Sequence, residues 1–261
     1  MVEIMMMMIF VFLIGLCIGS FLNVCIYRMG LEQSVVKPSS HCPKCKKPIR
    51  WYDNIPLVSY IVLWGRCRDC HEKISPRYFF VELLTGLMFL ALFHQFGMTP
   101  LFFIYCLFAS GLIVATFVDF DFRIIPDEIS VGGLIVGLAI SGFYPALHNV
   151  PMWWQGLLQA FLGILVGGGI LWVLGALGDF IFKKESMGGG DIKLLAMIGA
   201  FLGWKLALLA LPLASVIGAV VGIAEKIRTK NSVIAFGPYL AIGALAGLFW
   251  GPEIIDYFFH F

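Results

Sequence analysis

Residues 4–27 read IMMMMIFVFLIGLCIGSFLNVCIY, a run of 24 residues that contains no charge. A transmembrane helix needs about 20 mostly apolar residues, so this stretch is long enough to cross a bilayer once. It does not have the pattern of a cleavable signal peptide, because no basic residue precedes it and its apolar part is too long. The stretch therefore predicts a membrane protein whose first helix is part of the fold.

The rest of the chain repeats this pattern. Of the 261 residues, 60% are hydrophobic and 13% are charged, whereas about 25% of the residues of a soluble domain are charged. The sequence therefore predicts an all-α polytopic membrane protein with about eight transmembrane helices, of which the sixth is short. The apolar runs are residues 4–27, 79–96, 101–118, 129–147, 153–177, 192–202, 206–224 and 233–250.

The basic residues predict the orientation of these helices. If the N-terminus faces outward, the segment 28–78 is cytoplasmic and holds 10 of the 18 Lys and Arg residues. Every other basic residue except Lys205 then also lies on the cytoplasmic side, as the positive-inside rule requires. The net charge of +2 reflects this topology and does not point to nucleic acid. The basic residues that follow the segment on this side are Arg123, Lys183, Lys184, Lys193, Lys226, Arg228 and Lys230.

Three domains follow from this topology. Residues 1–27 form the first transmembrane helix, residues 28–78 form a small cytoplasmic domain, and residues 79–261 form the remaining membrane domain.

The cytoplasmic segment carries two Cys-x-x-Cys motifs, Cys42 with Cys45 and Cys67 with Cys70. Each motif places two thiolates on a tight turn, and two such turns can hold zinc tetrahedrally.

The predicted zinc site is structural. Four thiolates close the coordination sphere and leave no position for water, and a segment of this size has too little core to fold alone. Two disulfides are disfavoured because the cytoplasm is reducing. His41 and His71 flank the motifs as alternative ligands, and we expect them to be bystanders. Cys17, Cys25 and Cys106 lie in apolar runs, where cysteine usually packs as a small hydrophobic residue.

Acidic residues in or beside an apolar run are costly in a membrane and are therefore candidate functional groups. Asp119 ends the third run and Asp191 begins the sixth, so both are predicted at the cytoplasmic edge although they are 72 positions apart. The glycines at 188–190 directly precede Asp191, and they allow a substrate strand to approach the backbone closely. The start of a helix also favours a carboxylate through the helix dipole.

The two aspartates are predicted to have unlike surroundings. Asp119 follows the apolar residues Phe117 and Val118, an environment that disfavours a charged carboxylate, whereas Asp191 opens a helix. Two such carboxylates tend to share one proton. One of them then takes a proton from water while the other donates a hydrogen bond to the scissile carbonyl. The pattern therefore predicts an aspartic peptidase.

The other acidic residues near the membrane edge have simpler interpretations. Asp127 and Glu128 are predicted in the first turn of the next helix, where acidic residues favour the positive end of the dipole. For Asp121, a site position and a solvated loop position both remain open. Glu82 lies just inside the second run, and we expect it to pair with Arg77 or with a basic group on a neighbouring helix.

Taken together, these motifs resemble the bacterial prepilin peptidases, the type IV leader peptidase/N-methyltransferase branch of the GxGD membrane aspartic peptidases. The stretch GGGDIK at 188–193 fits the GxGD signature. The resemblance covers about residues 15–205. Further matching stretches are GSFLNV at 19–24, DNIPLVSY at 53–60, GRCRDC at 65–70, YFFVE at 78–82, VD at 118–119 and IPD at 125–127.

The resemblance implies an activity in the bacterial inner membrane. The protein would cut the short basic leader from type IV prepilins or pseudopilins after a glycine, at the cytoplasmic face. It would then N-methylate the new N-terminal residue, usually Phe, with S-adenosylmethionine. The resemblance implies that Asp119 and Asp191 are the catalytic pair and that the four motif cysteines bind the metal. It assigns no residues to the methyl donor. Such a substrate has a basic leader and an apolar helix in the lipid bilayer.

Two other functions are open to the sequence. Another GxGD intramembrane protease would use the same aspartates. Two features disfavour it: the tetracysteine segment, which is the cytoplasmic segment of residues 28–78, and the position of Asp191 at a helix start. A zinc-bearing membrane transporter or adaptor would use the aspartates as a proton or cation site, which is common in transporters. The sequence has no internal repeat to support that function.

Overall fold

The structure is a computed structural model of the chain, and it describes residues 1–37, 39–183, 187–229 and 235–259. Some of the residues used to predict the topology lie outside this range. They are Lys184, Lys230 and the first two residues of the run 233–250, together with the side chains of Lys226 and Arg228.

The described part of the chain is all-α, as the apolar runs predict, and it contains no β-strand. Two short 3₁₀ turns, Trp51–Asn54 and Pro145–His148, lie between helices. The α-helices are α1 (Val2–Met29), α2 (Val58–Val62), α3 (Arg77–Phe96), α4 (Pro100–Phe122), α5 (Asp127–Phe143), α6 (Trp153–Phe182), α7 (Gly189–Thr229) and α8 (Gly237–Phe259).

Five of these helices are long and apolar enough to cross a membrane, namely α1, α3, α4, α6 and α7. In α8 a shorter stretch, Gly237–Gly251, is apolar. Large apolar side chains cover the outer faces of the helices, as Phe161, Leu165 and Trp172 do on α6. A soluble protein rarely exposes apolar surface on this scale, so these faces contact lipid. The chain is a multi-pass membrane protein.

The long helix α7 is broken at Gly203, whose backbone has φ 77° and ψ 172°. Only glycine adopts such a conformation without steric cost. The break divides α7 into residues 189–202 and residues 204–229, which correspond to the sixth and seventh apolar runs.

The break also exposes backbone carbonyls, because the residues before it lack the N–H groups of a following turn. The carbonyl of Ala200 accepts a hydrogen bond from the ring of His148. The Ser141 hydroxyl lies 3.3 Å from the same carbonyl and 2.8 Å from the carbonyl of Gly137. The hydroxyl and the imidazole Nε2 of His148 lie 2.8 Å apart. Burial lowers the pKa of His148 to about 4, so its imidazole is neutral at pH 7. These two side chains stabilise the end of the first half of α7.

The chain forms two compact units, Met1–Val114 and Ala115–Phe261. In the second unit, α6 and α7 pack with their backbones in contact at Gly163 and Gly199. A Cβ added to either glycine would overlap the carbonyl oxygen of the other. Small residues at such positions let transmembrane helices approach closely.

In the first unit, α1 packs antiparallel against α3, and Gly15 meets Gly86 at the contact. Cys25 and Cys106 are buried, as the sequence predicts for small hydrophobic residues. Cys17 is exposed on α1 instead. It lies on the helix face directed away from α3, where a small hydrophobic residue contacts lipid.

Candidate active site and metal cluster

The second unit brings together two carboxylates that are far apart in the sequence. Asp119 lies one turn before the end of α4, where it is only 6% exposed. Asp191 lies in the first turn of α7. The two side chains are close enough to interact electrostatically. The guanidinium group of Arg123, which follows α4, also interacts with Asp119.

The starts of two helices surround this pair. Oδ2 of Asp119 accepts a hydrogen bond of 3.0 Å from the backbone N–H of Gly237, at the start of α8. The first N–H groups of a helix have no partner within the helix, and the helix dipole favours an anion there. Asp191 has the corresponding position in α7. The positive ends of α7 and α8 therefore both lie at the carboxylates.

Ile125 fills the space between these two helix starts. A Cβ added to Gly190 would lie 3.0 Å from Cβ of Ile125, and one added to Gly237 would lie 3.1 Å from its Cδ1. The Cβ at Gly237 would also lie 2.9 Å from Oδ2 of Asp119. At both positions a Cβ atom would therefore force Ile125 or the Asp119 carboxyl group to shift.

Lys193 on α7 forms an ion pair with Asp127 at the start of α5. Its Nζ lies 2.7 Å from Oδ1 and 2.9 Å from Oδ2 of Asp127. Asp127 and Glu128 occupy the first turn of α5, as predicted. The pair is exposed and therefore contributes roughly 0–1 kcal/mol to stability. Asp121 is exposed in the last turn of α4.

The sequence analysis gave no role at the site to three of these residues, namely Gly237, Ile125 and Lys193. The Gly237-Pro238 pair does carry a signal, because this dipeptide marks a turn and proline favours the first position of a helix. No local pattern places Ile125 or Lys193, since both act through tertiary contacts.

Glu82 has different partners from those predicted. It is buried in the first unit, 7% exposed, and it accepts hydrogen bonds from the backbone N–H of Leu57, at 2.8 Å, and from the hydroxyl of Ser20. Among the residues that the structure describes, its partners are therefore not basic side chains, and the prediction that it pairs with Arg77 or another basic group is wrong. The backbone N–H of Leu57, which precedes α3 in the chain, takes the place of the cation.

The four motif cysteines form one cluster in the first unit. The Sγ atoms of Cys42, Cys45, Cys67 and Cys70 all lie within 4.8 Å of one another, and those of Cys42 and Cys70 are 3.8 Å apart. Zinc binds thiolate at about 2.3 Å in a tetrahedron, which separates neighbouring sulfurs by about 3.8 Å. The cysteines therefore fit a metal ion of this kind.

Two similar hairpins position the cysteines. The N–H of Cys42 donates to the carbonyl of Lys47, at 3.0 Å, and the N–H of Cys67 donates to the carbonyl of Glu72, at 2.8 Å. The residue after each second cysteine, Lys46 in one hairpin, has a positive φ. His41 and His71 are outside the sulfur cluster.

Ion pairs cross between the two hairpins in a reciprocal pattern. Lys44 pairs with Glu72 at 2.5 Å, and Lys47 pairs with Asp69 at 3.0 Å. Lys44 and Asp69 are each the third residue of a Cys-x-x-Cys motif. Each of them pairs with the residue that lies two positions after the other motif. This pattern relates the hairpins by an approximate twofold axis through the sulfur cluster.

These features define a multi-pass membrane protein with a paired-aspartate site and a tetracysteine segment. Residues 13–96 match the bacterial peptidase A24 N-terminal domain, and residues 106–223 match the type IV leader peptidase family. The chain belongs to the type IV leader peptidase family.

Three relatives share one name, prepilin leader peptidase/N-methyltransferase. The chain is 35% identical to the protein from Pseudomonas aeruginosa over 95% of this chain and 92% of the relative. It is 35% identical to that from Neisseria gonorrhoeae over 88% of this chain and 85% of the relative. It is 41% identical to that from Myxococcus xanthus over 86% of this chain, and it spans 64% of that relative. No solved structure matches the chain.

Proposed function

We propose that the protein is a prepilin leader peptidase and N-methyltransferase. It cuts the leader of type IV prepilins or pseudopilins after a glycine, at the cytoplasmic face, and then methylates the new N-terminal residue. The family membership and the names of the relatives support this activity. The aspartate pair is predicted at the cytoplasmic edge of the membrane. A site there would recognise the basic leader and the apolar helix of the substrate.

The observation that carries the proposal is the interaction between Asp119 and Asp191 at two helix ends. One carboxylate takes a proton from a water molecule, and the resulting hydroxide attacks the scissile carbonyl carbon. The other, in its protonated form, donates a hydrogen bond to the carbonyl oxygen as negative charge develops there. When the C–N bond breaks, the leaving amine takes up a proton.

The surroundings of the pair suit this reaction. The N–H of Gly237 holds Oδ2 of Asp119, so the carboxyl group is fixed and its other oxygen can face the reactants. The glycines at 188–190 have no side chains to block an extended peptide beside Asp191. Peptide positioning of this kind supplies much of the rate of such reactions.

We propose that one structural zinc ion is bound by Cys42, Cys45, Cys67 and Cys70. The sulfur spacing supports zinc. Zinc coordinated by four thiolates has no open position for substrate, so it stabilises the tetracysteine segment and takes no part in cleavage.

The residues that bind the methyl donor stay unassigned. The tetracysteine segment contains a cavity of about 110 Å³ lined by Tyr52, Asp53, Val58, Ser59, Val62, Leu63 and Arg68. Sites for small molecules usually enclose at least about 300 Å³. This cavity therefore does not fit S-adenosylmethionine, and we derive no step of methyl transfer from it.

We further propose eight membrane crossings in the bacterial inner membrane. The break at Gly203 supports two crossings within α7, and α5 and α8 supply two more beyond α1, α3, α4 and α6. The N-terminus then faces outward, and the domain of residues 28–78 faces the cytoplasm, followed by the peptidase domain of residues 79–261. The basic residues support this orientation.

The experiment is to incubate the purified full chain in lipid nanodiscs with a prepilin and to determine the N-terminus of the product by mass spectrometry. We expect the leader to be removed after its glycine, and the new N-terminus to gain one methyl group when S-adenosylmethionine is added. An intact prepilin after long incubation would reject the proposal. Cleavage without methylation would reject only the second activity.

A further inference from the structure

The tetracysteine segment exposes a group of large apolar side chains around the short helix α2. Val58, Ile61 and Val62 on α2 are 52%, 61% and 63% exposed, and Trp51 and Trp64 on either side are 82% and 87% exposed. Single exposed apolar residues are ordinary, but five large ones within residues 51–64, two of them tryptophans, mark an interaction surface.

The opposite side of α2 is attached to the start of a membrane helix. The N–H of Leu57 donates to the buried carboxylate of Glu82 on α3, and the ring of Tyr60 lies 5.7 Å from that of Phe79. Glu82 is five residues into α3, which is about 7.5 Å along a helix axis. These contacts fix α2 beside the first turns of α3.

The attached side of α2 leads to the lipid-facing surface of α3. Phe80 is 59% exposed and contacts Phe79 edge to face, with ring centroids 5.8 Å apart. Tyr60, Phe79 and Phe80 therefore form one chain of rings that leads from α2 to the membrane surface of α3. A face at this position lies at the boundary between lipid and water.

The composition around α2 fits that boundary. Trp and Tyr are enriched at membrane interfaces because their rings are amphipathic. Short helices with one apolar face lie in the same layer. Exposed Arg50 precedes Trp51, and exposed Arg66 follows Trp64 by two positions. Basic side chains beside interfacial aromatic residues attract the anionic lipids of a bilayer.

We propose that α2, with Trp51 and Trp64, is an interfacial anchor that lies in the lipid headgroup layer and binds phospholipid. Its apolar face contacts the upper acyl chains, and Arg50 and Arg66 contact the headgroups. The anchor holds the tetracysteine segment at the bilayer surface, and it does not depend on the proposed peptidase activity.

Photo-crosslinking tests this proposal directly. The full chain is prepared with benzoylphenylalanine in place of Val62 and, as a control, in place of Lys46, which is exposed on a cysteine hairpin. Each protein is placed in nanodiscs of phosphatidylethanolamine and phosphatidylglycerol and irradiated. We expect lipid adducts from position 62 to exceed those from position 46 severalfold. Equal lipid adducts at the two positions, or adducts of position 62 mainly to a second copy of the chain, would overturn the proposal.

Tryptophan quenching provides an independent measurement with a milder change. The contribution of Trp64 to the fluorescence is the difference between the wild type and the Trp64→Phe variant. We expect phospholipids brominated near the headgroup to quench this contribution strongly and aqueous iodide to quench it weakly. The reverse order of quenching would place Trp64 in water and would overturn the proposal.

Discussion

The backbone N–H of Gly237 donates a hydrogen bond of 3.0 Å to Oδ2 of Asp119, across 118 positions of sequence. The start of α8 therefore fixes a carboxyl group carried by α4, and Asp191 at the start of α7 interacts with the same group. A fixed carboxyl group is the main requirement that the proposed reaction places on the fold, because peptide hydrolysis needs the water, the carbonyl and both acids in register.

Gly237→Ala should impair cleavage without preventing folding. The added Cβ would lie 2.9 Å from Oδ2 of Asp119, so the carboxyl group or α8 must shift. A displacement of this kind lowers enzyme rates by about tenfold to a hundredfold. Prepilin cleavage by the purified variant measures the effect. Gly247→Ala on the same helix is the control, since its Cβ would meet nothing closer than 3.8 Å. Equal activity of both variants would contradict the role of the Gly237 contact.

Metal analysis of the purified chain should give about one zinc ion per chain. Cys45→Ser should lower the zinc content and speed hydrogen exchange in the tetracysteine segment, because the segment has little core of its own. Cys17→Ser is the matched control, since Cys17 is exposed on α1, and it should keep both properties. A zinc-free wild type whose segment is fully protected from exchange would contradict the metal site.

Acid should destabilise the second unit through His148. Its pKa is about 4 in the folded protein, against an ordinary value of 6.5, because burial disfavours the charged ring. The unfolded chain therefore binds a proton below about pH 6.5 and the folded chain only below about pH 4. Stability falls as the pH falls through this window, by about 2 kcal/mol between pH 7 and pH 5 from this residue.

The melting temperature at pH 7 and pH 5 measures this contribution. We expect the wild type to lose more thermal stability on acidification than the His148→Gln variant, which has no titrating ring. The same loss on acidification in both proteins would show that His148 is not the responsible group.

Methylation should follow cleavage and should not need the aspartate pair. The methyl acceptor is an α-amine that forms only when the peptide bond is cut, and its pKa of about 7.7–8.0 leaves part of it neutral near pH 7. The Asp191→Asn variant should therefore methylate a synthetic pilin segment that already begins with Phe, but not an intact prepilin. Transfer of labelled methyl groups from S-adenosylmethionine measures this. If the wild type labels the segment and the variant does not, both activities use the pair.

Much of the fold could be predicted because membrane helices leave a strong local signal. The apolar runs gave the positions of the long helices, and the Gly203-Trp204-Lys205 interruption separated the sixth run from the seventh, where the backbone of α7 breaks. The spacing of the cysteines predicted their cluster for the same reason, since both motifs form local turns. In each case the local pattern lies within a few neighbouring residues, although the two cysteine motifs that meet are far apart in the sequence.

The parts that could not be predicted depend on backbone groups from distant segments. Glu82 was expected to have a basic partner, but the N–H of Leu57 and the hydroxyl of Ser20 are its partners. Asp119 likewise binds the N–H of Gly237. Every residue except proline carries such an N–H, so no side-chain pattern distinguishes the one that the fold brings to a carboxylate.

The most direct test is prepilin cleavage by Asp119→Asn and Asp191→Asn, each measured at equal amounts of membrane-inserted protein. Asparagine keeps the shape of aspartate but cannot exchange a proton with water or the substrate. Asp127→Asn makes the same chemical change at the exposed ion pair with Lys193, and it should cleave at nearly the wild-type rate. We predict that both site variants leave the leader in place. Wild-type cleavage by either of them would contradict the paired-aspartate mechanism.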